Sequence, residues 1–173
     1  MREASNELKN DKDVVLAAVR KSGDALEFAS PEMQNDKDVA LAAVNKSAEA
    51  LEFASDELKN DKDFTLEAVN ENCWALEYAN REFKCDKDVV FAAVKKRGGA
   101  LEYASDELKH DKDIVFEAVK EAPWVLEYAS PELQNDVDLI GVAGYGDEYY
   151  EDEEYNESNR GDDGDICDDD IEN

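Results

Sequence analysis

The sequence predicts an all-α fold, in which short helices repeat every 25 residues to form an α-solenoid-like array over residues 1–146, followed by a disordered acidic tail over 147–173. Three observations carry that expectation. Asp11, Asp36, Asp61, Asp86, Asp111 and Asp136 fall in one column at that period, with Asp13, Asp38, Asp63, Asp88, Asp113 and Asp138 two places further on. The phrase LEFA or LEYA returns in step with them, at Leu26, Leu51, Leu76, Leu101 and Leu126. Charge then changes abruptly, because residues 1–140 hold 32 acids against 18 bases while residues 141–173 hold 14 acids against Arg160 alone. A fixed period of about 20 to 50 residues marks a stacked array whose units bury their apolar faces only against each other. Five full units run from 11 to 135, with a partial unit at either end.

Each unit divides into three short pieces, the first being DKDVVLAAVRK in unit one. Asp11 reads as its N-cap, with Asp36, Asp61, Asp86 and Asp111 equivalent, because a carboxylate there accepts from the free N–H groups of the first turn. Asp13 and its equivalents place negative charge where the helix macrodipole favours it. Asn10 is the competing cap, but Cys85 and His110 interrupt its column whereas the next is always Asp. Val14, Val15, Leu16, Ala18 and Val19 wrap most of the way round this helix, which predicts neighbours on several sides. Ala18 recurs as Ala43, Ala68, Ala93 and Ala118, a small residue where helices approach closely.

The second piece, GDALEFA, starts after Ser22, Ser47 or Asn72 and reads as a second helix carrying a core layer of Leu, Ala and aromatic rings. Pro123 fits the first helical position, where a missing N–H costs nothing. Pro31 and Pro131 end that helix at Ser30 and Ser130, since proline inside a helix costs about 3 kcal/mol. Serine then caps a third piece of a single turn.

The acidic motif has two readings. Asp-x-Asp brings two carboxylates within reach of a hard cation, yet all six copies precede an apolar helix, which capping requires and a metal site does not. Capping is favoured, and no metal or cofactor is expected. The mid-helix column of Glu27, Glu52, Glu77, Glu102 and Glu127 is not a cap, and reads as a stacking contact to an N-terminal N–H or to a motif lysine of the next unit, such as Lys37. No P-loop, G-x-G-x-x-G or Ser-His or Cys-His arrangement appears. The single histidine, His110, fills a linker column, and Cys73, Cys85 and Cys167 follow no C-x-x-C spacing. The chain is expected not to be an enzyme.

Individuality is concentrated at the bend between the first two pieces, where the units read RKSGD, NKSAE, NENCW, KKRGG and KEAPW. Trp74 and Trp124 lie fifty residues apart, which suggests either a binding ridge or a super-period of paired units, and a large ring at a repeat boundary more often fills a packing gap. Tyr149 and Tyr150, set among acids in the tail, are further candidates for partner binding. The net charge of −27 speaks against electrostatic binding to nucleic acid or anionic membrane. No run of about 18 apolar residues exists and the N-terminus lacks an apolar signal region, so an intracellular, cytoplasmic location is the expectation.

The repeated D-x-x-V-V-L-x-A-V followed by A-L-E-F/Y-A-S, as in LKNDKDVVLAAVRKSGDALEFAS, resembles the family called domain of unknown function 4116, over about residues 5 to 140. The resemblance implies a tandem helical domain and brings no established activity to any residue. The expected function is a helical-repeat scaffold that binds another protein, basic in character. The alternative is an acidic cation binder or nucleic-acid mimic acting through charge. At the ends, Val137 to Ala143 are expected to cap unit five, while Val15 and Leu16 are expected to lie uncovered and to support weak self-association through the N-terminal end.

Overall fold

Aspartate at the head of each unit does what its position asks. In the computed structural model, which describes residues 5–145, the long helices are Lys12–Lys21, Lys37–Lys46, Lys62–Glu71, Lys87–Lys96, Lys112–Glu121 and the shortened Val137–Ala143. The Asp11 carboxylate accepts from the N–H groups of Asp13 and Val14 at 3.0 and 3.1 Å, and Asp86, Asp111 and Asp136 repeat the pattern. Asp36 and Asp61 accept from Val39 and Phe64. At the other end each of the first five stops on a residue with extended backbone, Ser22 through Ala122, whose N–H still reaches the alanine carbonyl four residues back.

The second piece departs from the expected α-helix. It is a 3-10 helix in four units, at Gly23–Phe28, Ala48–Phe53, Gly98–Tyr103 and Pro123–Tyr128, and a single α-turn, Ala75–Tyr78, in unit three. Extended residues on both sides leave only six positions, and the tighter 3-10 winding suits so short a run. Ser22 and Ser47 make no side-chain cap bond to it. Asn72 does, accepting from the Trp74 N–H at 3.2 Å. The third piece is a one-turn helix, Asn6–Lys9, Pro31–Gln34, Asp56–Lys59, Arg81–Lys84, Asp106–Lys109 and Pro131–Gln134. Serine caps five of these, and Asn80 at the sixth makes no such bond.

One continuous core runs the length of the stack, with Val19, Leu26, Val44, Leu51, Val69, Leu76, Val94, Leu101 and Val119 fully enclosed. Burying each leucine contributes about 1.5–3 kcal/mol relative to exposure. Long helices pack on those of the next unit, and the 3-10 pieces of units one, four and five lie between two of them. A Cβ on Gly23 would sit 2.6 Å from the Ala43 carbonyl, and one on Gly98 would run into the Ala118 carbonyl. At these two alanines the close approach is that of a bend glycine to the backbone of the next unit's long helix.

Two ladders join the units. In the first, the backbone N–H of Ser30 donates to the Lys9 carbonyl at 2.9 Å, and Ser55, Ser105 and Ser130 do the same to Gln34, Lys84 and Lys109. In unit three the Asn80 side chain supplies the bond to Lys59. The second ladder is ionic. Lys12 lies 2.8 Å from both Asp36 and Asp38 of the next unit, Lys62 likewise from Asp86 and Asp88, and Lys112 2.7 and 2.8 Å from Asp136 and Asp138. Lys87 reaches Asp111 at 2.7 Å, while Lys37 turns instead to Glu67 at 2.8 Å. Each cap aspartate thus holds its own helix and, in four of five junctions, the lysine before it.

Two expectations are corrected. The Glu27 column does not meet the motif lysines, since those are taken by the aspartates and, at Lys37, by Glu67; Glu77 and Glu102 instead lie near the hydroxyls of Tyr103 and Tyr128 in the following unit, whose titration is pushed up by burial and by that negative charge. The N-terminal end is not an open apolar face, because Val15 is fully buried and Leu16 packs against the core. The second unit's helix and the leader turn Asn6–Lys9 cover them. Among the described residues, the exposed large apolar side chains are Leu8 at that end and Phe116, Trp124, Val137, Val142 and Tyr145 in unit five and after.

Three outcomes follow. Asp86→Ala removes a cap of two N–H groups and should cost about 1 kcal/mol, read by thermal or urea unfolding. Gly98→Ala should cost about 1–3 kcal/mol through overpacking on the Ala118 carbonyl. Partial burial works to raise the carboxyls of Asp36, Asp86 and Asp111, but the lysine ammonium of the preceding unit and the capped N–H groups outweigh it and hold them below the usual carboxylate value. Carboxyls lowered by folding give stability that is full above their ordinary value and is lost as pH falls through the folded one. Urea midpoints should accordingly hold from neutral pH down to about pH 5 and drop below about pH 4, and a midpoint unchanged there would contradict the ladder.

Candidate interaction site

The bend residues of units three, four and five converge. Position 24 of the repeat holds Asp24, Glu49, Trp74, Gly99 and Trp124, so the only unit without a side chain there lies between the two tryptophans. The tips of both indoles come 3.3 Å from the point that a Cβ on Gly99 would occupy. Gly99 is what allows them to meet.

Trp74 is partly buried and stands edge-on to Tyr103, 6.1 Å between ring centres, while the Arg97 guanidinium lies over its ring at 5.9 Å. Trp124 stands edge-on to Tyr128 at 5.8 Å and remains 51% exposed. Together with Arg97, Glu121, Ala122 and Pro123 the two rings line an open cleft of about 440 Å³. The Glu121 carboxylate is tied to the Gly98 N–H across the junction. A second, smaller hollow on the far side of Trp124 is shared with Leu126, Glu127, Gln134 and Tyr145. Such an arrangement can take up an apolar or aromatic anchor, since exposed tryptophan offers a large rigid surface at small entropic cost.

The pairing of units three and five has further marks. Glu67 is the partner of Lys37, and Glu71 accepts from the Asn45 side chain, both in unit two. Their counterparts in unit five behave differently: Glu117 pairs within its own helix with Lys120, and Glu121 reaches Gly98. Sequence columns foresaw the tryptophans but not Gly99 or Arg97. The signal was present, since Arg97 replaces the Ser or Asn of its column.

Cations without a carboxylate partner collect beside the cleft. Lys95, Lys96 and Arg97 make no ion pair among the described residues; Lys96 reaches back to the Asn70 carbonyl just as Arg97 reaches back over Trp74. The two lysines line a groove of about 760 Å³ together with Asn70, Lys87, Asp88, Phe91 and Ala92. The remaining sequence candidates are quieter. His110 donates from Nδ1 to the Asp106 carbonyl and sits 3.6 Å from Glu132, Cys85 is exposed at the end of a one-turn helix, and Cys73 is half-buried with its thiol pushed up by burial. Tyr149, Tyr150 and Cys167 lie outside the described residues. Among the described residues no three His, Cys, Asp or Glu side chains come together as a metal site, and no helix is long and apolar enough to cross a membrane.

No curated protein and no solved structure matches the chain. The sequence pattern of the family described as Domain of unknown function (DUF4116) matches residues 1–34, 36–84 and 86–139 in tandem. With most of its length so matched, the chain belongs to that family.

Proposed function

We infer that the protein is a non-enzymatic helical-repeat scaffold that binds another protein, and that Trp124 with Trp74 forms the anchor point. The observation that supports it is the half-exposed Trp124 beside Trp74 over Gly99, in an array whose other repeated apolar positions are mostly enclosed. A partner with a basic segment and an apolar anchor fits the net charge of −27, the former engaging the acidic tail and the latter the cleft.

The second reading, a charge-driven decoy or cation binder, has less to draw on. In the array, the motif aspartates are already engaged in caps and lysine pairs, which leaves fewer of them free to imitate a phosphate row. Salt separates the two readings, because screening shortens from about 10 Å at 0.1 M to about 3 Å at 1 M. A captured partner should stay on the wild-type chain at high salt, and Trp124→Ala should weaken it by about 2 kcal/mol, roughly thirtyfold. The thermal transition should hardly move, since Trp124 is half in solvent already. Capture that ignores Trp124→Ala and disappears with salt would replace the scaffold with the decoy.

A further inference from the structure

The groove on unit four is separate from the tryptophan cleft, with which it shares no lining residue. Asp88, Phe91, Ala92, Lys95 and Lys96 follow one another at helical spacing, so they lie along one face of the helix Lys87–Lys96, and Asn70 of unit three lines the groove with them. The two ends of this face differ. At its head, Asp88 is held by Lys62 at 2.8 Å and Lys87 by Asp111 at 2.7 Å. At its foot, Lys95 and Lys96 are exposed and meet no carboxylate among the described residues, Lys96 donating to the Asn70 carbonyl. Between the ends lie Phe91 and Ala92, packed on the core and only partly covered.

A base in the last turn of a helix suits the macrodipole and needs no ligand, as at Lys46. Two features of unit four go further. Between units two and three, Lys37 pairs with Glu67 and the Asn45 side chain donates to Glu71. The same columns fifty residues on hold Lys87, Glu117, Lys95 and Glu121, but there Glu117 takes Lys120 and Glu121 takes the Gly98 N–H. Lys95 thus stands where Asn45 has an acceptor, with that acceptor withdrawn. The floor is also altered, because unit four has Ala92 and Lys96 where units three and five have glutamate at 67, 71, 117 and 121. Unit one repeats the pattern at Leu16, Ala17, Arg20 and Lys21, but no described long helix precedes it to form the other wall.

We propose that this groove binds a short acidic segment of a protein partner, an apolar side chain resting on Phe91 and Ala92 and a carboxylate meeting Lys95 and Lys96. The spacing sets the pattern of that segment. Phe91 and Lys95 lie about 6 Å apart along the helix axis, and residues two places apart in an extended chain share a face at about 6.6 Å. The segment therefore carries its acid two places from its apolar residue. The net charge of −27 opposes an acidic ligand only at long range, since screening within about 10 Å at 0.1 M salt leaves the two near lysines to decide. This second site takes the charge opposite to that of the basic segment inferred above and does not rest on the tryptophan reading.

The test is titration of the ¹⁵N-labelled full chain at 0.1 M salt with an acetylated, amidated peptide that carries a leucine and, two places on, a glutamate. A second peptide has glutamine for the glutamate. The backbone amides of residues 91–96 should shift with the first peptide, and the second should bind roughly tenfold more weakly, as expected for loss of a hydrogen bond to a charged group. Lys95→Gln/Lys96→Gln should weaken the glutamate peptide by the same factor and leave the glutamine peptide as it was, a difference that unfolding would not produce. Ala92→Glu gives unit four the residue that units three and five hold in that column, so the array accommodates it, and it should abolish the shifts. Trp124→Ala should leave this binding unchanged, which separates failure here from failure of the scaffold reading. Equal affinity for the two peptides, or shifts that survive both groove variants, would overturn the proposal. So would shifts at the same amides on concentrating the chain alone, which place a second copy in the groove.

Discussion

A unit of 25 residues made of one ten-residue helix and two short turns cannot bury its own apolar face, so everything in this protein depends on the junction between units. One side chain serves both sides of that junction. The aspartate that opens each long helix accepts from the free N–H groups of its own first turn and, in four of five junctions, from the lysine one unit earlier. Local folding of a helix and its attachment to a neighbour are thereby linked through the same carboxylate. A helix that fails to form presents no acceptor, and a missing neighbour leaves the cap partly desolvated with no cation beside it.

That double use explains why the motif is so constant and what could be read from it. The column of aspartates gave the helix starts, the proline positions gave the breaks, and the leucine column gave the core, because each of these is decided by a residue's own first turn or by its side-chain size. The 3-10 form of the second piece was not legible. It follows from extended residues such as Ser22 and Ala29 on both sides, a backbone property that serine and alanine do not declare in sequence. The surroundings of the glutamate column were also hidden, because Glu77 and Glu102 lie near hydroxyls that are present at Tyr103 and Tyr128 but absent where the same column holds Phe28 or Phe53.

The ends follow the same logic. The column that supplies lysine at 12, 37, 62, 87 and 112 holds Val137 in the last helix. Its aspartates, Asp136 and Asp138, still receive Lys112, but no cation is offered onward. Two residues after Leu139, Gly141 enters the helix, and Gly144 closes it in the left-handed conformation at φ 77°. The ionic ladder therefore accepts at its last rung and does not donate, which works against addition of a further unit or of a second copy head to tail. The last helix also closes the core, since Leu139 and Ala143 are buried and Ile140 packs against it, while Val137 stands 69% exposed.

With the constant columns committed to stacking, variation is confined to places where a substitution leaves the ladder intact, and the bend between helix and 3-10 piece is the chief of these. A side chain there points toward the same position of the next unit, so its effect is set by what stands one repeat away. Tryptophan at 74 and 124 would collide with a third tryptophan at 99, and with glycine there both find room. A repeat protein can in this way build a composite surface from three units by altering one column, at no cost to the caps, the lysine pairs or the leucine core. Among the described units, the two tryptophans and the intervening glycine meet at this one place.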